Sequence, residues 1–126
     1  MKMLSTTASD AYRKVDLDAR IEASSGADLT RICLEEAVGA LGQALLALER
    51  SPRKTPREAL ARAHGIAMWL TRSLDPDNPL RDQLFQFYGA LAEQIRRNMA
   101  KPNAADLMQA RTDLTDLLEA ASAAAC

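Results

Sequence analysis

Helix-start signals recur along this chain, and they constrain its fold more than any other feature of the sequence. Three signals pair a capping residue with an acidic residue three positions later: Ser25 with Asp28, Thr55 with Glu58, and Asn103 with Asp106. Such a pair can satisfy backbone N–H groups that the first turn of a helix leaves without partners. Asn78 followed by Pro79 indicates a fourth start. The sequence therefore predicts four helices.

Apolar residues follow each start at intervals of three and four, which places their side chains on one face of a helix. We expect helices over about 25–49, 56–74, 79–100 and 104–120. Connections this short favour antiparallel neighbours, so the expected fold class is all-α, an antiparallel up-down-up-down four-helix bundle. The core stripes should be Leu34, Val38, Leu41, Leu45 and Leu48; Leu60, Ala63, Ala67, Leu70 and Leu74; Leu80, Leu84, Phe87, Leu91 and Ile95; and Leu107, Ala110, Leu114, Leu117 and Leu118.

The domain organisation follows from these helices. Residues 25–121 should form the bundle, and the Ala-rich tail over 122–126 should fray. Residues 1–24 should form a flexible N-terminal segment with a short helical or cap portion. That portion contains Tyr12, Val15, Leu17 and Ile21 and is too short to be a stable helix alone, so it must dock on another surface.

Composition excludes several classes of function. The chain has 126 residues, which suits one domain, and its 16 basic and 17 acidic residues give a net charge of -1, which argues against a nucleic-acid partner. Two cysteines, Cys33 and Cys126, form neither a disulfide framework nor a metal-binding cluster, as expected in a reducing cytoplasm. No apolar stretch is long enough for a signal peptide or a membrane span. We therefore expect a cytoplasmic protein without membrane insertion.

Catalytic motifs are absent from the sequence, which has no Gly-rich phosphate loop, no nucleophile–base pattern and no cluster of metal ligands. We therefore expect no enzymatic activity, no cofactor and no metal. One alternative is a histidine phosphotransfer module using His64, the only histidine. Such modules usually carry a lysine three positions after the histidine, and this chain has Ala67 there, so the electrostatic support for a phosphoryl group is missing. A second alternative is a generic helical adaptor.

A row of small side chains runs along the first helix beside the leucine stripe. It contains Cys33, Ala37, Ala40 and Ala44, with Gly39 and Gly42 near it. This row permits either the close approach of a neighbouring helix of the bundle or a groove for a foreign helix. Under the first interpretation, Cys33 is a buried and unreactive thiol.

Several large apolar residues lie off the core stripes, although a helix in a bundle needs only one apolar face. As a set they favour a surface that binds a helix from another protein. These candidate binding residues are Ile32, Leu46, Met68, Trp69, Phe85 and Met108.

The order and spacing of short motifs resemble the FliS family of flagellar secretion chaperones over about residues 11–121. The matching residues are Ala11-Tyr12, Ile21-Glu22-Ala23-Ser24-Ser25, Ala47-Leu48-Glu49, Leu60-Ala61-Arg62-Ala63, Leu70 with Leu74-Asp75, and Leu84, Phe87-Tyr88, Leu91 and Ile95. The chain departs from the family pattern at Cys33-Leu34-Glu35-Glu36 and at Ala121.

The resemblance implies a cytoplasmic export chaperone that binds the disordered C-terminal helical region of flagellin and prevents premature polymerisation before type III flagellar secretion. The off-stripe apolar residues would then contact the client. The resemblance also implies that the N-terminal segment covers part of the binding surface when the client is absent, which assigns a displaceable cap to Tyr12, Val15 and Ile21. The flagellar export gate is a further candidate partner.

Overall fold

A computed structural model describes the backbone of residues 26–125 and their side chains, except those of Ala27 and residues 122–125. The elements are four helices: α1 (Gly26–Arg50), α2 (Arg57–Arg72), α3 (Arg81–Ala100) and α4 (Ala104–Ala125). Residues 26–125 contain no strand. The predicted all-α fold class with four bundle helices is therefore confirmed. The antiparallel order of the helices stays a prediction, and the predicted docking of residues 1–24 lies outside the described range.

The chain divides into two compact units, Met1–Ile32 and Cys33–Cys126. The boundary falls inside α1, so the second unit contains most of α1 and all of α2, α3 and α4. The bundle core described here belongs to this second unit.

The core of the bundle is built from leucine and alanine. In α2 and α4 the predicted stripes are buried over most of their length, and α3 adds Tyr88 and Ala92 to the predicted Leu91 and Ile95. The ring of Tyr88 meets that of Phe87 edge to face, with 5.7 Å between ring centroids. Within the second unit the buried apolar residues are Cys33, Leu34, Ala37, Ala40, Leu41, Ala44, Leu48, Leu60, Ala63, Ala67, Leu70, Tyr88, Leu91, Ala92, Ile95, Leu107, Ala110 and Leu114.

The row of small side chains on α1 faces this core. Ala37, Ala40 and Ala44 are each at most 1% exposed, and Cys33 is buried beside them. Short side chains let neighbouring helix backbones approach closely, because the separation of two packed helices depends on the side chains between them. The interpretation of this row as a bundle contact is confirmed for the alanines and for Cys33.

Helix starts agree with the sequence signals at α4 and differ at α3. At α4, Asn103 Oδ1 accepts a hydrogen bond of 3.1 Å from the Asp106 N–H, as the capping pair predicts. At α3, Asn78 Oδ1 instead accepts from the Leu80 N–H at 2.8 Å, which makes a turn before the helix. Leu80, predicted to face the core, therefore precedes the helix and is 57% exposed.

The start of α2 also differs from the expected capping pair. Its N-terminal cap position is Pro56, and no side chain caps the helix there. Pro56 lacks an N–H group and fixes its own φ angle, so it can begin a helix without a capping side chain. Thr55 contributes through its backbone instead, since its carbonyl oxygen accepts from the Arg57 N–H at 2.9 Å.

Asn98 is the buried polar residue of the core, and no sequence signal identified it. It is 1% exposed, its Nδ2 donates to the Gln94 carbonyl at 2.9 Å, and its Oδ1 accepts from the Asn103 N–H at 2.6 Å. A second bond across the same turn runs from Gln94 Nε2 to the Asp106 carbonyl at 3.0 Å. These bonds fix the start of α4 against the end of α3.

Replacing Asn98 by alanine should lower the free energy of unfolding by about 2 to 3 kcal/mol. The substitution removes packed atoms from the core and leaves the Asn103 N–H and the Gln94 carbonyl without their side-chain partners. Urea unfolding followed by circular dichroism measures the change. The matched control is Gln86→Ala on the exposed face of α3, which should stay within about 0.5 kcal/mol of the parent. Equal stability of the two variants would show that the Asn98 bonds contribute nothing.

Cys33 should react slowly with thiol reagents in the folded protein. Burial raises the pKa of the Cys33 thiol, and the nearby Glu36 carboxylate raises it further. The thiol therefore stays neutral, and the stability linked to this group is present below the unfolded-state pKa and falls as the pH rises above it. In a Cys126→Ser variant at pH 8, labelling should be at least about 100-fold slower in buffer than in denaturant. Similar rates in both solvents would contradict the buried position.

Candidate functional site

An open groove of about 810 Å³ lies between the C-terminal half of α1 and the N-terminal half of α4. Pro52 in the connection after α1 and Pro102 in the connection before α4 also line it. Its lining residues are Gly39, Gly42, Gln43, Leu45, Leu46, Leu48, Glu49, Pro52, Pro102, Ala104, Met108 and Arg111. Most of these side chains are apolar, so the groove is suited to bind an apolar partner surface.

On α1 the groove is lined by a stripe separate from the core stripe. Gly39, Gly42, Leu46 and Glu49 follow one another at intervals of three, four and three, which places them on one face of the helix. The two glycines carry no side chain, so this face is shallow in its middle. A second helix could approach the α1 backbone closely at Gly39, whereas the Arg111 side chain lies over Gly42.

Two of the predicted binding residues meet in this groove. Leu46 is 54% exposed on α1, and Met108 is 50% exposed on α4. Large exposed apolar side chains that share one concave surface are typical of a binding site rather than of ordinary surface scatter. Met108 also has an unbranched, adaptable side chain, which suits a surface that must fit a partner helix.

Polar side chains that border the groove include Gln43 on α1 and Arg111 on α4. Gln43 Oε1 accepts a hydrogen bond of 3.1 Å from Arg62 Nη1 on α2, and Arg62 also lies 4.0 Å from Glu36. Gln43 is therefore held toward α2. On the α4 side, Arg111 reaches across to α1, with Nε 3.4 Å from the point where a Cβ atom on Gly42 would lie.

The other predicted binding residues lie outside this groove. Met68 on α2 is 39% exposed, and Phe85 on α3 is 47% exposed with the guanidinium carbon of Arg81 5.7 Å from its ring centroid. Trp69 is half-buried. These residues belong to the end of α2 and the start of α3, so any surface that they form is separate from the groove.

Ile32 requires a correction. It was predicted as part of an exposed surface because it lies off the core stripe of α1, but it is only 4% exposed. Sequence spacing gives the angular position of a side chain on its helix and does not give what covers that position. A client contact at Ile32 would therefore need rearrangement around it.

The predicted cap residues Tyr12, Val15 and Ile21 lie outside the residues that the structure describes. Their assignment stays a prediction.

His64 lies half-buried on α2. Three residues later, where phosphotransfer modules usually carry a lysine, this chain has Ala67, which is fully buried and offers no positive charge to a phosphoryl group.

Residues 26–125 contain no group of three or more histidine, cysteine or acidic side chains placed to hold a metal ion. None of the helices in this range has both the length and the apolar character needed to cross a membrane.

Sequence reasoning missed most of the polar and backbone features of the groove. Arg111, Pro52 and Pro102 were not singled out, and the two glycines were noticed only for their proximity to the alanine row. A usable signal exists, because the stripe 39, 42, 46 and 49 repeats the spacing of the core stripe on another face of α1. Two such stripes on one helix indicate two packing surfaces.

A comparison with family models gives one finding. The model of the family described as "FliS: Flagellar protein FliS" matches residues 8–125. No curated protein matches the chain significantly.

Proposed function

Because the chain belongs to the FliS family of flagellar export chaperones, we propose that it binds the disordered C-terminal helical segment of flagellin before export. In this proposal the protein works in the cytoplasm, has no enzymatic activity, and keeps flagellin from polymerising before type III flagellar secretion. The observation that carries the proposal is the apolar groove between α1 and α4, where Leu46 and Met108 are exposed on facing helices.

The groove offers what a folding helix needs. A disordered segment that becomes helical on binding must offset an ordering cost of about 2 to 5 kcal/mol or more. Burial of one large apolar side chain contributes about 1.5 to 3 kcal/mol, so several such contacts are required. The exposed Leu46 and Met108, together with the half-buried Leu45, supply these contacts on the chaperone side. The absence of a side chain at Gly39, where nothing lies within 4 Å of a Cβ position, lets the client helix lie close to α1.

Sequestration follows from mass action. A flagellin segment held in the groove cannot at the same time pack against other subunits, so the concentration of segments free to polymerise falls with chaperone concentration. The surface used for binding need not be chemically reactive. This is the reason that a bundle without catalytic residues can perform the function.

Met68, Trp69 and Phe85 form a second proposed set of client contacts, at the other pair of helix ends. A flagellin segment longer than one groove could extend to them.

The export gate must finally remove the client, so direct contact with the gate is part of this proposal.

Replacing Leu46 by serine should weaken binding of the flagellin C-terminal segment by about 4- to 13-fold. Leu46 is 54% exposed, so a client can bury about half of its side chain, worth about 0.8 to 1.5 kcal/mol. Calorimetric titration of the full-length protein with the C-terminal segment of flagellin from the same cell measures it. The parent protein should bind one segment with a negative heat-capacity change, the signature of apolar burial.

Leu80→Ser is the matched control for this experiment, because Leu80 is an equally exposed leucine outside the groove. It should change the affinity by less than about twofold. Similar losses in both variants would remove the groove as the site. Absence of binding by the parent protein would overturn the proposed function.

Tyr12→Ser should strengthen client binding if the N-terminal segment competes for the binding surface. Removing an autoinhibitory contact raises the fraction of protein competent to bind, and therefore the apparent affinity, without changing the bound complex. The affinity from the same titration and the association rate from stopped-flow fluorescence should both rise. An unchanged or lower affinity would contradict the cap assignment of Tyr12, Val15 and Ile21.

A further inference from the structure

We infer that Arg111 is a specificity-determining residue of the groove, and that it binds a carboxylate on the client helix. The inference deepens the proposed function and rests on it. One position of the client helix must then be an acidic residue, a requirement that the apolar contacts of the groove do not set.

The position of the guanidinium is the first observation. Arg111 projects from α4 across the groove, and its Nε, Cζ and Nη2 atoms lie 3.4 to 3.6 Å from the point where a Cβ atom on Gly42 would be. The planar group therefore lies against the glycine face of α1. Any helix that follows this face passes beside it.

The lack of a partner is the second observation. Within the described part of the chain, the Arg111 guanidinium makes neither a hydrogen bond nor an ion pair. Arg62, on the neighbouring helix α2, contrasts with it, because it is engaged by Gln43 and Glu36. The five donor groups of Arg111 remain available to a bound molecule.

The surroundings strengthen any bond that Arg111 makes. Its neighbours in the groove include Leu45, Leu46 and Met108. A client helix seated on them would exclude water from the same space, and a charge-assisted hydrogen bond is stronger in such a place than in open water. A planar guanidinium also matches a carboxylate in two parallel hydrogen bonds, which a lysine ammonium cannot reproduce.

Glu49 makes the electrostatic potential of the groove differ from one place to another along α1. It lies seven residues after Gly42 on the same stripe of α1, which is about 10 Å along the helix axis. Arg111 is the one cationic residue and Glu49 the one anionic residue among the described residues that line the groove. A client carboxylate is attracted at the Arg111 position and repelled near Glu49, so the pair of charges selects one of the two orientations of a client helix.

The test measures the affinity of full-length variants for the flagellin C-terminal segment, by calorimetry in 50 mM and 500 mM salt. Arg111→Gln should weaken binding by about 10- to 100-fold at low salt, as expected for loss of a charge-assisted hydrogen bond. The loss should shrink at high salt. Arg111→Lys should recover only part of the affinity. Arg97→Gln, the matched neutralisation of an exposed arginine on α3 outside the groove, should leave the affinity within about twofold.

A second arm identifies the carboxylate. Segments in which single Asp or Glu residues are replaced by Asn or Gln are titrated against the parent protein and against Arg111→Gln. One replacement should weaken binding to the parent and have no further effect on Arg111→Gln, which is the signature of a direct pair in a double-mutant cycle. Melting curves should show that Arg111→Gln folds as the parent does, since the side chain is exposed.

The outcomes separate the two proposals. If Leu46→Ser loses affinity and Arg111→Gln binds within twofold of the parent, the groove stands and the role of Arg111 is overturned. The same holds if no client carboxylate couples to Arg111. If the parent protein does not bind the segment at all, the proposed function fails and the role of Arg111 fails with it.

Discussion

Close packing of α1 is the constraint on which the rest of the structure depends. Its core face carries Ala37, Ala40 and Ala44, all at most 1% exposed, where longer side chains would force the neighbouring helices apart. This small-residue face uses one side of α1 for the bundle. The opposite stripe, with Gly39, Gly42 and Leu46, is therefore free to line a groove. One helix thus has two packing surfaces, and among the described residues the first is buried in the core while the second lines the groove.

The same division holds on α4. Leu107, Ala110 and Leu114 are fully buried, while Met108 and Arg111, each one position further along, line the groove. Adjacent residues on a helix point about 100° apart, so a single stretch of α4 serves the core and the groove at once. The hydrogen bonds of Asn98 at the α3–α4 turn fix where α4 begins. They therefore also fix the position of Met108 along the groove.

The sequence could predict the elements because their signals are local. Asn103 caps α4 with the bond to the Asp106 N–H that the spacing implied. Leu80 shows where local reasoning fails, since a turn made by Asn78 delays α3 and leaves this leucine outside the core. Asn98 could not be predicted, because its burial depends on a turn made by another residue, Asn103.

Part of the site could also be predicted from the local spacing of apolar residues. Leu46 and Met108 were identifiable, since an apolar residue off the core stripe has no local explanation. That they share a groove depends on which two helices are adjacent, and that information is not in either helix alone. Ile32 illustrates the converse, because the same spacing argument placed it on the surface and the folded chain buries it.

The glycines of α1 complete the argument for a partner. Each glycine inside a helix costs about 0.5 to 1 kcal/mol relative to alanine. The folded chain gives no steric reason for Gly39, since a Cβ atom there would meet nothing within 4 Å, and an alanine at Gly42 would make only ordinary contacts.

Gly65 and Gly89 are equally unconstrained, so a helical glycine alone does not mark a site. What distinguishes Gly39 and Gly42 is their position on one stripe with the exposed Leu46, facing Met108 and Arg111. Glycines such as these lower the stability of the free helix. Where they lie on one surface with exposed apolar side chains, we expect a partner to complete the packing of that surface.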